Sequence, residues 1–191
     1  MTPSGRHTAF SFFISLLSLL LSVYTVLFAG SVEWFGTNFS VLAVTGANHY
    51  RGFFIWGLLA ACYYLLVLGG ISRTLSSPHA QLLICALCLM GCGALGASLA
   101  IPYLPENFPR YADLHVVLAF SACVFLMAAL LTAILSCGGT YRRLLGVWWG
   151  IIGISTLLFV WVGIVSTALE VFFTLSTVWL TRRLYLHRRS T

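Results

Sequence analysis

Residues 144–181 read LLGVWWGIIGISTLLFVWVGIVSTALEVFFTLSTVWLT, and the fold turns on whether this stretch is one segment or two. A helix rises 1.5 Å per residue, so about 20 apolar residues cross the ~30 Å hydrocarbon core of a bilayer. The stretch is nearly twice that long. It therefore folds back on itself, and the place for the turn is VGIVST at 162–167, where Gly163 permits one. The two halves become helices over 144–162 and 166–184.

Four further apolar segments have the length of a single crossing: 10–30, 53–71, 80–101 and 114–136. The reading is all-α, an integral membrane bundle of six transmembrane helices forming one domain over 1–191. Composition agrees. The chain is 60% hydrophobic and 7% charged, against roughly 25% charged in a soluble domain. No soluble fold of this length has enough interior to hide that much apolar surface.

Arginine placement tests the count. All ten basic residues are arginine. With six spans, Arg6, Arg73, Arg142, Arg143, Arg182, Arg183, Arg188 and Arg189 share one side, and only Arg51 and Arg110 lie on the other. Five spans would scatter them. The bias places both termini in the cytoplasm and the protein in the plasma membrane, with membrane lipids as partners. The net charge of +6 is distributed over span ends rather than gathered on one face, which argues against nucleic acid. Residues 1–30 exceed the usual apolar length of a cleaved leader and read as a retained first span.

Small and hydroxyl residues mark the faces expected to pack, because helices in lipid associate through close contact and hydrogen bonds. Ser11, Ser15, Ser18, Ser22 and Thr25 line the first span, and Cys85, Cys88, Cys92 and Gly96 the third. Gly146, Gly150 and Gly153 line the fifth, and Thr167, Glu170, Thr174, Thr177 and Thr181 the sixth. All four stripes are expected to face the bundle axis. The six cysteines, Cys137 included, lie in or beside apolar segments, so no disulfide framework is indicated, and Cys85-Ala-Leu-Cys88 reads as packing.

The four carboxylates, Glu33, Glu106, Asp113 and Glu170, all fall at the arginine-poor end, together with His49 and His115. Asp113 directly precedes the fourth apolar run and reads as its N-cap. His115 shares a face with Leu118, Ala119, Ala122 and Cys123 and needs a buried hydrogen-bond partner. Glu170 stands about one turn inside the boundary, where an acid carries a cost and commonly marks a site. His115, Glu170 and Asp113 are thus the candidate catalytic groups, and His49, Arg51, His115 and Glu170 the candidate ligand contacts. No H-E-x-x-H, nucleophile elbow or bis-histidine pattern points to a metal or cofactor, and none is expected.

Three stretches carry a resemblance: NFSVLAVTGANHYRGFFIWGLL at 38–59, GCGALGASLAIP at 91–102 and DLHVVLAF at 113–120. Over about residues 35–135 the chain resembles a bacterial family of six-helix membrane proteins known only as a domain of unknown function. That family in turn is similar to the damage-regulated autophagy modulators and the lipid-remodelling factors of GPI-anchor maturation. The resemblance implies the same six-helix fold and adds Ser40 to His115 as a marked position, although Val41 follows the serine where the family often has an acid.

The expectation is a multi-pass membrane protein that binds or handles a lipid or small amphipathic solute in an outward-facing polar pocket without catalysis. A membrane-embedded hydrolase or lipid-modifying enzyme using His115 with carboxylates is the alternative. A structural or assembly subunit is the third.

Overall fold

The structure, a computed structural model, describes residues 3–30, 32–46, 49–136 and 141–190, the side chains of 3–9, 141, 189 and 190 excepted. Cys137, part of the 137–143 connection, and the side chains of Arg6 and Arg189 lie outside the described residues. The chain is all-helical: α1 (Pro3–Ala29), α2 (Phe39–Thr45), α3 (His49–Ser72), α4 (Pro78–Ala100), α5 (Pro109–Leu135), α6 (Tyr141–Val162) and α7 (Thr167–Ser190).

Six of these are the long helices read from the apolar segments; α2, inside the first long loop, is the addition. Five stretches are long and apolar enough to cross a membrane: Phe10–Ala29, His49–Ser72, Pro78–Ala100, Pro109–Leu135 and Arg142–Val162. Their outer faces are bare apolar surface. Phe12, Leu27, Phe120, Val160 and Trp161 are all exposed by 70% or more, which in water would be an aggregating surface and in lipid is a solvated one.

The long apolar stretch does break at Gly163, whose φ of +80° is open to glycine and costly for residues with a Cβ. Beyond it, α7 is not among those five: it carries Glu170 and four arginines, and Thr174, Thr177 and Thr181 on it are buried. Tyr63 donates to the Val178 carbonyl at 2.8 Å, and Tyr64 meets Thr177 Oγ1 at 2.6 Å. The start of α7 bonds to residues just after α1, with the Thr167 amide on the Thr37 carbonyl at 2.7 Å. Its other end meets Phe10, Ser15 and Thr74 through Tyr185, Arg182 and Arg188. So α7 runs antiparallel to α1 along its length.

Packing corrects two of the four expected stripes. On α1 and α7 the hydroxyl faces are indeed turned in, with Ser18 and Thr25 buried. On α4 the buried line is Ile84, Cys88, Gly91, Cys92, Ser98 and Leu99, while Cys85 and Gly96 are exposed. The three glycines of α6 do not pack at all: a Cβ added to Gly146, Gly150 or Gly153 meets nothing within 4 Å. Glycine spacing alone does not say whether a partner helix is present. The close approach is made by Gly91 instead, where a Cβ would lie 2.8 Å from Leu126 Cγ and 3.2 Å from its backbone nitrogen. Gly91→Ala is therefore expected to lower stability by about 1–3 kcal/mol through overpacking of α4 against α5. Gly96→Ala, opening on empty space, serves as the neutral control. Thermal unfolding of both variants in the same detergent checks this.

The fourth apolar run also starts earlier than expected. Pro109 opens α5 after the N-cap Phe108, because proline's fixed φ and missing amide suit the first helical turn. Asp113 is then an ordinary, exposed residue inside the helix. It is not the cap.

Candidate functional site

Helix α2 closes over one end of the bundle. The Asn38 side chain caps it by accepting the Val41 amide at 2.9 Å, and Phe39, Leu42 and Ala43 turn into the core. The Phe39 ring enters an aromatic cluster, edge-on to Phe28 at 5.1 Å and to Trp56 at 5.2 Å between centroids. With position 39 anchored inward, the next residue faces about 100° round the helix. That residue is Ser40.

Ser40 Oγ lies 2.8 Å from His115 Nε2. The other ring nitrogen, Nδ1, lies 2.9 Å from the Ser98 carbonyl and 2.8 Å from the Ile101 carbonyl. Carbonyl oxygens can only accept, so in the neutral ring the proton sits on Nδ1. Nε2 is then left as an acceptor, and the serine hydroxyl donates to it. His115 is 2% exposed, flanked by the rings of Phe53 and Tyr103 at 6.4 and 5.7 Å, while Ser40 is half-buried. A serine hydroxyl is thus held against an imidazole acceptor whose tautomer the end of α4 dictates.

That helix end supplies more than orientation. The last carbonyls of a helix lack intrahelical partners and carry its partial negative charge. His115 shares that of Ser98 with the Ile101 amide, which donates to it at 3.1 Å, and takes that of the C-cap Ile101, while the Tyr50 hydroxyl donates to that of Leu99 at 2.7 Å. An imidazole that accepted the serine proton would be facing this negative end.

Glu170 does not reach His115. Its Oε2 accepts the Phe39 amide at 2.6 Å, one residue before Ser40. Around it the first loop is stitched to the start of α7. The Thr167 and Ala168 amides donate to the carbonyls of Thr37 and Trp34 at 2.7 and 2.9 Å, and the Leu169 amide donates to Ser166 Oγ at 3.3 Å. Histidine and glutamate thus meet neighbouring residues of α2, the one through a side chain and the other through the backbone.

The remaining sequence candidates stand apart from this pair. His49 donates from Nδ1 to the Leu42 carbonyl at 3.1 Å and so caps the far end of α2. Arg51, Asp113, Glu33 and Glu106 are exposed. Sequence reasoning did not find Tyr50, Tyr103 or the two α4 carbonyls. The carbonyls carry no residue-type signal at all. Tyr50 was findable, as an amphipathic ring beside His49 at a span boundary. Among the described residues no group of three or more His, Cys, Asp or Glu side chains could hold a metal ion. Comparison of the chain with protein-family models, curated proteins and solved structures gives no match.

Proposed function

We propose that this is a six-span protein of the plasma membrane, both termini cytoplasmic, that transfers or hydrolyses an acyl group of an amphipathic substrate at its outer face. Ser40 is the nucleophile and His115 the base. Three things support the topology: the eight-to-two arginine asymmetry, the six long helices, and the course of α7 from the loop after α1 back to α1's beginning.

One observation carries the activity, the hydrogen bond between Ser40 and an imidazole fixed as acceptor on that side. A nucleophile touching a base that a third group orients is the arrangement of nucleophilic acyl transfer. Here two carbonyls stand where a carboxylate often does. Ser40 Oγ attacks the substrate carbonyl as its proton passes to Nε2; the ring returns that proton to the departing alcohol. Water, or an acceptor alcohol, then releases the acyl group from the serine oxygen by the same steps in reverse. The position of α2 at the rim of an apolar bundle suits a substrate whose ester lies at the lipid–water boundary.

The test is covalent capture. Full-length protein in lipid nanodiscs is treated with an alkyl fluorophosphonate, and the modified peptide is identified by mass spectrometry. Modification of Ser40 supports the reading. An unlabelled protein, or one labelled at other serines alone, overturns it.

Binding of a lipid or solute without catalysis is the second reading, and one observation favours it: both His115 nitrogens are engaged, tying α2, α4 and α5 together. The pair would then be a latch holding α2 over the bundle, and breaking it would change stability and ligand retention but no covalent chemistry.

A further inference from the structure

A second feature lies away from α2, on the flank where α1, α6 and α7 meet. Between α6 and α7 is a groove of about 610 Å³ lined by Val147, Gly150, Ile154, Phe172, Ser176 and Trp179. It shares Ser22, Leu175 and Trp179 with a second hollow of about 430 Å³ that continues along α1 to Ser15 and Arg182. Gly150 keeps the first hollow open on the α6 side, where a Cβ added to it meets nothing within 4 Å.

Length and charge say what fits. From Phe172 to Arg182 the groove follows ten positions of α7, about 15 Å at 1.5 Å per residue. That is half the ~30 Å hydrocarbon core, the depth of one leaflet. At its end the half-buried Arg182 points Nε toward Ser15 Oγ at 3.4 Å. Glu33, Glu106, Asp113 and Glu170, the acidic side chains, all belong to the opposite end of the chain's spans, so among the described residues no acidic side chain balances the guanidinium there. A half-buried arginine at a membrane boundary is suited to an anion, and phosphate matches its forked donors.

We propose that this groove is a binding site for an anionic phospholipid of the cytoplasmic leaflet, an acyl chain lying between α6 and α7 and the headgroup phosphate on Arg182. The site is independent of Ser40 and His115. Its contacts are mostly apolar along the chain, with serine hydroxyls among them, and ionic at one point, so selection is for headgroup charge rather than for acyl structure.

The test uses full-length protein in nanodiscs doped with either phosphatidylglycerol or phosphatidylcholine carrying a diazirine near the acyl terminus. Crosslinked peptides are mapped by mass spectrometry. Phosphatidylglycerol is expected to label the α6 and α7 segments around Gly150 and Phe172 at least fivefold more than phosphatidylcholine. Arg182→Gln should remove that preference and Arg182→Lys should keep most of it. Gly150→Phe, which fills the hollow without a backbone clash, should block labelling there with either lipid. Circular dichroism and thermal unfolding confirm that each variant is folded. Equal labelling by the two lipids, or labelling insensitive to both Arg182→Gln and Gly150→Phe, would mean ordinary surrounding lipid and would overturn the proposal.

Discussion

Ser40→Ala abolishes covalent labelling by an alkyl fluorophosphonate while leaving the bundle folded: this is the largest effect expected of any single substitution. The hydroxyl is the only atom lost, and His115 Nε2 loses its 2.8 Å partner. A hydrogen bond of this kind contributes about 1 kcal/mol net, so the unfolding midpoint moves little. His115→Ala acts differently. It removes the proposed base, which should lower the labelling rate by about 10²–10⁴-fold. It also leaves the Ser98 and Ile101 carbonyls without the donor that now serves both, so stability falls too. His115→Gln separates the two effects. Its amide can donate to a carbonyl but takes no proton from serine, so it should restore part of the stability and none of the rate. Labelling of Ser40 that survives His115→Gln at the native rate would show that the imidazole is not the base.

The second large effect is structural. Glu170→Ala should loosen the whole first loop, because the Phe39 amide loses its 2.6 Å acceptor at a place where water does not readily replace it. An unsatisfied buried amide costs about 1–3 kcal/mol. Local opening should then become roughly tenfold to a hundredfold more frequent, seen as faster hydrogen exchange over residues 34–45. Glu170→Gln keeps an acceptor oxygen and should restore most of the protection. If the glutamate instead served a ligand through its charge, the glutamine variant would lose function while holding the loop intact. The geometry predicts the reverse order, loop order first. Ser40 labelling should fall in Glu170→Ala as a consequence of α2 moving and recover in Glu170→Gln.

Much of the architecture was legible because the bilayer imposes it. Segment length against hydrocarbon thickness located the six long helices, and Gly163 marked the break. Where the sequence misled, it did so through residues whose meaning depends on neighbours. Asp113 looked like a cap because it precedes an apolar run, yet Pro109 had already started the helix four positions earlier. The glycines of α6 looked like a packing face, yet a Cβ on any of them meets no neighbour within 4 Å, and Gly150 lines a groove. Helix α2 was invisible because seven residues are too few for a periodic pattern. It persists because Asn38, His49, His115, Glu170 and the aromatic cluster hold it from outside.

The site divides in the same way. Residue type and depth singled out His115 and Glu170 from the sequence, since buried histidines and membrane acids must find partners; Ser40 carries no such signal of its own. Which partner each finds is a matter of the fold. Glu170 was expected near the imidazole and holds a backbone amide instead.

Residue composition and segment length already carry the membrane character of this chain, the number of its long helices and the end that gathers the acids. Those properties follow from solvation free energy summed over local stretches, which needs no knowledge of what folds against what. Packing alone brings in the serine 75 positions away along the chain that completes the histidine's hydrogen bonds, and the α4 carbonyls that set its tautomer. Backbone acceptors carry no residue code, and contacts of that range exist only once the helices have packed.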